Sequence, residues 1–307
     1  MTLSLSRRAA LSTAALGVAA SLLPARSHAA IALQGSHLPA FQRFRLGGFE
    51  VTSLLAGSGV MEKPFETFAM NASESERAKA AADAFIPVEM LRSFMIPVLV
   101  NTGRELVLFD TGVAPQGITA ALAAAGITPD QIDIVVITHM HGDHIGGLTG
   151  EGGPTFPNAR YVTGDAEFAH WAAAENEGFE KHIRPLEAKF TRIGEGAEVL
   201  PGITAMLATG HTPGHMIYHL ESEGQRLMLT ADLTNHFAFS LPNPDWEVRY
   251  DLDKAQAAAS RRRVLGMIAD DRIPFIGYHM PFPGLGYVAR EGQGFRYIPH
   301  SYQLTAG

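Results

Sequence analysis

Thr138-His139-Met140-His141-Gly142-Asp143-His144 stands directly behind the apolar run Ile132-Asp133-Ile134-Val135-Val136-Ile137. Three of the 13 histidines in the chain fall in this one stretch. A β-branched run closed by a polar, glycine-bearing segment reads as a buried strand turning into a helix. A His-x-His-x-Asp-His pattern would arise by chance in roughly one such sequence in a thousand. Two apart on a strand end, His139 and His141 point the same way. Asp143 and His144 follow on the turn and face a second point, so one segment serves two metal ions. Gly142, Gly146 and Gly147 are expected to let the backbone pass close to the site.

Four ligands cannot complete two metal shells, so other strand ends must supply more. His211, in Gly210-His211-Thr212-Pro213-Gly214-His215, follows the strand ending at Leu207 and is the third histidine expected for the first ion. Asp232 ends the apolar strand Leu227 to Thr230, where a buried carboxylate needs charge partners and can bridge two cations. His279 follows Ile273-Pro274-Phe275-Ile276-Gly277 and completes the second ion with Asp143 and His144. Nitrogen-rich mixed ligation favours zinc for both divalent ions, although Mn, Co or Fe suit the same set.

The 307 residues contain no cysteine, which removes disulfides, thiol nucleophiles and Cys-ligated metal together. A formal net charge of -7 supplies no field for nucleic acid or anionic lipid. Arg261, Arg262 and Arg263 form one basic run, expected on the solvated face of a helix. Residues 1–29 read as a cleaved export signal. Arg7-Arg8 and an Ala-rich, weakly apolar stretch resemble a twin-arginine leader, with Ser27-His28-Ala29 as the cleavage site. A periplasmic or secreted protein follows, with residues 30–307 as one domain. No later stretch reaches the roughly 18 apolar residues of a membrane span.

From Phe41 the chain alternates short apolar runs with turn signals. Strands are expected at Gln42–Leu46, Phe49–Leu55, Phe94–Asn101 and Glu105–Phe109, with a loop from Met61 running into a helix near Glu74–Ala84. Helices at Pro115–Ala125, after His144 and at Asp165–Ala174 then alternate with strands Ile132–Thr138 and Ala159–Val162. The second half repeats the pattern. It has strands at Ile203–Leu207, Met216–Leu220, Arg226–Thr230 and Ile273–Gly277, a helix at Lys254–Ala269 and a hairpin through Tyr287–Ile298. Two sheets between helices is the simplest α/β architecture with that order.

The ligand pattern from Asp110 to His279 resembles the metallo-β-lactamase superfamily, which implies a four-layer αβ/βα sandwich with a two-metal site at one edge. Within it the chain is similar to methyl parathion hydrolase and its relatives. That likeness runs through Leu46-Gly47-Gly48-Phe49-Glu50-Val51-Thr52, Phe156-Pro157-Asn158-Ala159, Pro201-Gly202-Ile203 and Phe282-Pro283-Gly284-Leu285-Gly286. The resemblance implies that Asp110, in Leu108-Phe109-Asp110-Thr111-Gly112, orients a ligand histidine. His215, outside the ligand set, is expected to support the ligands or to pack.

It also implies small, neutral, ester-like substrates, namely lactones, aryl esters or phosphotriesters. Two close divalent ions lower the pKa of a bridging water toward about 7 and polarise the bond under attack. Asp143 or Asp232 then takes up the proton as the intermediate collapses. Phe65, Phe68, Phe85, Trp171, Phe237 and Trp246 are expected to line an apolar pocket. Two departures stand out: Trp171 is displaced by two residues from the family's pocket tryptophan, and Asn235 stands where acyl-homoserine lactonases carry tyrosine. The alternatives are a β-lactamase or glyoxalase II-like hydrolase, or iron redox chemistry on the same ligands. A homodimer is left open.

Overall fold

Burial with period two divides the central strands between two cores. Along Ile134–Ile137, Ile134 and Val136 face one apolar cluster while Val135 and Ile137 face another. Val107 and Phe109 do the same against Leu108. Strands covered on both faces read as continuous apolar runs, which is why these were visible in sequence. Removing one such side chain, as in Leu108→Ala, would cost about 2–5 kcal/mol.

The computed structural model describes Leu33, Gly35 and residues 37–301; the export signal expected over 1–29 lies outside the described residues. The residues from Pro39 onward form one compact unit built on two seven-stranded sheets. The first runs, in spatial order, Phe41–Leu46, Phe49–Leu54, Val98–Asn101, Leu106–Phe109, Ile134–Ile137, Arg160–Gly164 and Phe190–Ile193. Its last four strands are parallel. The second runs Glu198–Leu200, Ile203–Leu207, Met216–Ser222, Gln225–Ala231, Phe275–Gly277, Leu285–Glu291 and Gly294–Pro299.

The sheets pack face to face, with Val51, Val100, Val107 and Val136 meeting Ile203, Tyr218, Leu220 and Leu227. Helices Pro115–Ala124 and Asp165–Ala173 cover the first sheet through Ile118, Leu122, Phe168 and Trp171. Helix Lys254–Asp270 covers the second through Val264, Leu265 and Ile268, an i, i+1, i+4 stripe. The result is the αβ/βα sandwich.

Several local expectations are corrected. Phe94–Asn101 is not one strand, because Pro97 lacks the N–H a ladder needs. Met90–Met95 instead pairs with Gly57–Glu62, a strand unseen in the sequence, in a separate two-stranded sheet. Strands Phe190–Ile193 and Glu198–Leu200 were also unforeseen. The strand before the histidines stops at Ile137, so His139 and His141 lie on a loop, and Asp143 and His144 lie inside a one-turn helix, Gly142–Ile145.

Arg261 is not solvated. It is 1% exposed, and its guanidinium donates to the carbonyls of Pro244 and Trp246 and to Asp251. A Cβ at Gly147 would meet the Thr111 carbonyl oxygen at 2.1 Å, and one at Gly146 the Val113 oxygen at 2.2 Å. Gly142 has nothing within 4 Å and so serves no close approach.

Candidate metal centre

The parallel strands Leu106–Phe109 and Ile134–Ile137 end at the same sheet edge, and the next residues are Asp110 and the histidine loop. Gln225–Ala231 and Phe275–Gly277, also parallel, deliver Asp232 and His279, while the turn after Leu207 delivers His211. Asp110 and Ala231 hold φ values of 59° and 44°, left-handed conformations rare for such residues and typical of functional turns.

These ends converge. His141 Nδ1 lies 3.1 Å from His139 Nε2 and 2.9 Å from His211 Nε2. His279 Nε2 lies 3.3 Å from Asp143 Oδ2 and 3.2 Å from Asp232 Oδ2. His144 Nε2 is 3.2 Å from Asp232 Oδ1, and His211 Nε2 is 3.4 Å from Asp232 Oδ2. Asp232 thus stands between a His139, His141, His211 group and an Asp143, His144, His279 group. A tetrahedral ion with bonds of 2.0–2.1 Å sets its ligand atoms about 3.3 Å apart, which these separations match. His144 Nε2 and Asp232 Oδ1 are buried with no hydrogen-bond partner. Buried donors and acceptors are rarely left so, and a cation between them removes the penalty.

The far side of four of the five imidazoles is also engaged. His144 Nδ1–H donates to Asp110 Oδ2 at 2.9 Å, and Asp110 further accepts from the Thr138 N–H and hydroxyl. His139 Nδ1 meets the Thr138 hydroxyl oxygen at 3.2 Å. His279 Nδ1–H donates to the Phe94 carbonyl at 2.7 Å and His211 Nδ1–H to Asp251 Oδ1 at 2.9 Å. Such partners fix the tautomer that leaves a lone pair facing the cluster. His215 stays outside the cluster: its Nδ1–H donates to the Ala208 carbonyl, and its Nε2 accepts the Asp232 N–H at 3.1 Å. It therefore holds the backbone of the central carboxylate.

Electrostatics agrees with the geometry. Burial opposes charge on His144, but Asp232, Asp110 and Asp143 override it and hold its pKa well above the usual imidazole range. Burial is likewise outweighed at His279, which Asp232 and Asp143 push up to about 10. His141, with burial and then His211 acting against its charge, is pushed down to about 3. The carboxylate end of the cluster thus demands positive charge, while burial holds His139 and His141 below the usual imidazole range and keeps them neutral.

A cavity of about 430 Å³ opens over the cluster between Met61, Phe68, Met95 and Tyr250. Among the aromatic residues expected there, Phe68 lines it. The others go elsewhere. Phe65 packs on Phe239 at 5.4 Å, and Phe237 and Trp246 line a separate hollow with Tyr297. Phe85 is 97% exposed, a position beyond the end of helix Glu74–Asp83 that faces solvent. Trp171 is buried behind His141, edge to face at 5.7 Å, so its role is packing on a ligand rather than contact with the cavity.

Sequence reading missed Asp251, Arg261, Glu167 and Tyr278, whose hydroxyl donates to the Asp143 carbonyl. None carries a local pattern, because each reaches the ligand loops only through contacts that the fold creates.

The sequence profile of the Metallo-beta-lactamase superfamily matches residues 97–274. The chain belongs to that superfamily. Among superfamily relatives, an N-acyl homoserine lactonase of Bacillus cereus is 27% identical over 163 residues, 52% of this chain and 61% of the relative. A probable metallo-hydrolase, YybB, of Bacillus subtilis (strain 168) is 31% identical over 45% of this chain and 62% of its own length. The chain thus spans about three fifths of these curated relatives.

Solved structures agree over a longer span. AidC, a dizinc quorum-quenching lactonase in complex with a product, superposes with a TM-score of 0.80 at 27% identity, covering 87% of this chain and 99% of AidC. The hydrolase AbOPH of the beta lactamase superfamily gives 0.81 at 24% identity, a likeness of fold. The superfamily's fold and a site for two divalent metals are therefore both present in this chain.

Proposed function

We propose that this metallohydrolase opens lactones, with zinc at both metal positions. The observation that carries the reading is the pair of buried, unpartnered ligand atoms, His144 Nε2 and Asp232 Oδ1, beneath a largely apolar cavity. The likeness to AidC and to the Bacillus lactonases supports the substrate class. Divalent ions bound there supply Lewis acidity, which lowers a water's pKa toward about 7 and polarises the scissile carbonyl.

The protein's own residues do the rest. His139, His141 and His211 hold one position; Asp143, His144 and His279 hold the other, with Asp232 between them. Asp143 is 28% exposed on the cavity wall, whereas Asp232 is 4% exposed and aimed at three imidazoles. Asp143 is therefore the carboxylate that can carry a proton to the leaving oxygen, and Asp232 is committed to ligation. Met61, Phe68 and Met95 form an apolar wall suited to an acyl or aryl group.

Asn235 favours a second reading, hydrolysis of aryl esters or phosphotriesters. Its amide donates to Asp232 Oδ2 at 3.0 Å, where the lactonase resemblance would place a tyrosine hydroxyl. Export, read from Arg7-Arg8 and the Ala-rich leader, belongs to the proposal too and is checked by cell fractionation.

The test is hydrolysis of dihydrocoumarin, an acyl-homoserine lactone, a p-nitrophenyl ester, methyl parathion and nitrocefin, with and without chelator. Chelator-sensitive lactone opening supports the first reading, and ester or phosphotriester turnover alone supports the second. Inertness to all five by protein carrying two ions would overturn both.

A further inference from the structure

Glu167 is wholly buried, on the first turn of helix Asp165–Ala173. Among the described residues no lysine, arginine or histidine pairs with it. Its Oε1 accepts the Met140 N–H at 2.9 Å and the Trp171 indole N–H at 2.6 Å. Its Oε2 accepts the Thr212 hydroxyl at 2.6 Å and the Gly214 N–H at 3.0 Å. Every lone-pair direction of the carboxylate is filled by a donor.

The identity of those donors is what matters. Met140 sits between His139 and His141, and Thr212 follows His211. One carboxylate therefore ties together the two loops whose three imidazole nitrogens converge at 2.9 and 3.1 Å. Trp171, fixed by the same carboxylate, packs edge to face on His141. The approach is close: a Cβ on Gly214 would meet the Glu167 nitrogen at 2.1 Å. The other metal position is fixed without it, His144 by Asp110 and His279 by the Phe94 carbonyl.

We propose that Glu167 is a positioning residue for the His139, His141, His211 metal position, setting the spacing of its two loops and hence its affinity independently of the Asp143, His144, His279 position. Outer partners of metal ligands commonly change affinity by about 10- to 100-fold. Glutamine cannot replace Glu167, because its amide nitrogen would face two N–H or O–H donors on one side. Aspartate retains the charge but is one methylene too short to reach both loops.

The inference rests on the two-metal reading and not on the substrate. It is tested on the full chain carrying Trp246→Phe, which leaves Trp171 as the sole tryptophan of the two in the sequence. Zinc bound per chain is measured against graded chelator, together with Trp171 emission during zinc titration. Glu167→Gln and Glu167→Asp are each expected to bind the ion sensed by Trp171 at least about tenfold more weakly, with the other ion within about twofold of the parent. Equal weakening of both ions, or parent affinities at both, would overturn the proposal.

Should Glu167→Gln not fold, Thr212→Val removes one donor and keeps the carboxylate. A smaller loss confined to the Trp171-sensed ion is expected, and unchanged affinity there overturns the proposal. A parent chain that takes up fewer than two ions overturns both this and the reading beneath it.

Discussion

Replacing Asp251 with asparagine separates metal orientation from fold stability. Asp251 Oδ1 accepts from His211 Nδ1 at 2.9 Å and its Oδ2 accepts from Arg261 Nη1 at 2.8 Å, all three side chains being buried. In Asp251→Asn the new amide nitrogen must face either His211 or Arg261. Facing His211, it favours the tautomer with the proton on Nε2, where the ion should bind; facing Arg261, it sets donor against donor. Either way the Arg261 charge stays buried without its counter-ion, which costs about 3–5 kcal/mol. For a domain of this size that lowers the melting temperature by roughly 10 °C.

Zinc affinity at the His211 position should fall about 10- to 100-fold, or about 1.4–2.8 kcal/mol. The assays are thermal unfolding of metal-free protein and competition for zinc against a chromophoric chelator. Adding Arg261→Met to Asp251→Asn should restore part of the stability but none of the affinity. If Asp251→Asn keeps both its melting temperature and a zinc affinity within twofold of the parent, the assignment of Asp251 is wrong.

His141→Ala or Asp232→Ala should abolish turnover while the far-ultraviolet dichroism stays near that of the parent; appreciable activity in either would remove the metal centre from the mechanism. Asp110→Ala, which frees His144 Nδ1, should weaken metal binding by about 10- to 100-fold as read by chelator titration. Burial pushes the buried imidazole of His236 down to about 3. The unfolded chain therefore takes up this proton first, so the contribution of His236 to stability is intact above about pH 6.5 and declines below it by about 1.4 kcal/mol per pH unit. His236→Asn keeps an acceptor for the Ala238 N–H and removes the titration. Its denaturant midpoint should fall less steeply than the parent's between about pH 6.5 and 4.5, and parallel curves would refute the assignment.

The residues that converge on the cluster were legible in sequence because metal chemistry restricts residue type and the sandwich restricts place: each lies just beyond an apolar strand, and both signals are local. Helices Pro115–Ala124 and Lys254–Asp270 were legible through their length and composition. Gly57–Glu62 was not, since it pairs only with Met90–Met95 and its exposed pattern lacks alternation. The cavity wall was misread for a related reason. Aromatic residues announce apolar surface but not the compartment it enters: Phe237 and Trp246, partly buried, and Trp171, buried, lie away from the cavity that Met61 and Met95 line. Asp251 lies 40 residues from His211 in a stretch without regular structure, and only the folded chain joins them.

The buried charges themselves point to two ions and to a measurable proton count. Arg261 answers Asp251, which leaves Asp110, Asp143, Asp232 and Glu167 around the centre with no arginine or lysine on them among the described residues. Two divalent ions bring positive charge to the pair that faces the cluster, Asp143 and Asp232, both held, against burial, below the usual carboxylate range by His144 and His279. Metal-free, the protons of His144, held well above the usual range, and of His279, at about 10, offset part of the carboxylate charge. Both protons are present at pH 7, and both must leave before these imidazoles can serve as ligands. Loading two zinc ions at pH 7 should therefore release about two protons per chain or more. The release is obtained by calorimetry in buffers of differing ionisation enthalpy or by a pH indicator in weak buffer. Uptake of two ions with no proton release would show that His144 and His279 do not carry the charge assigned to them.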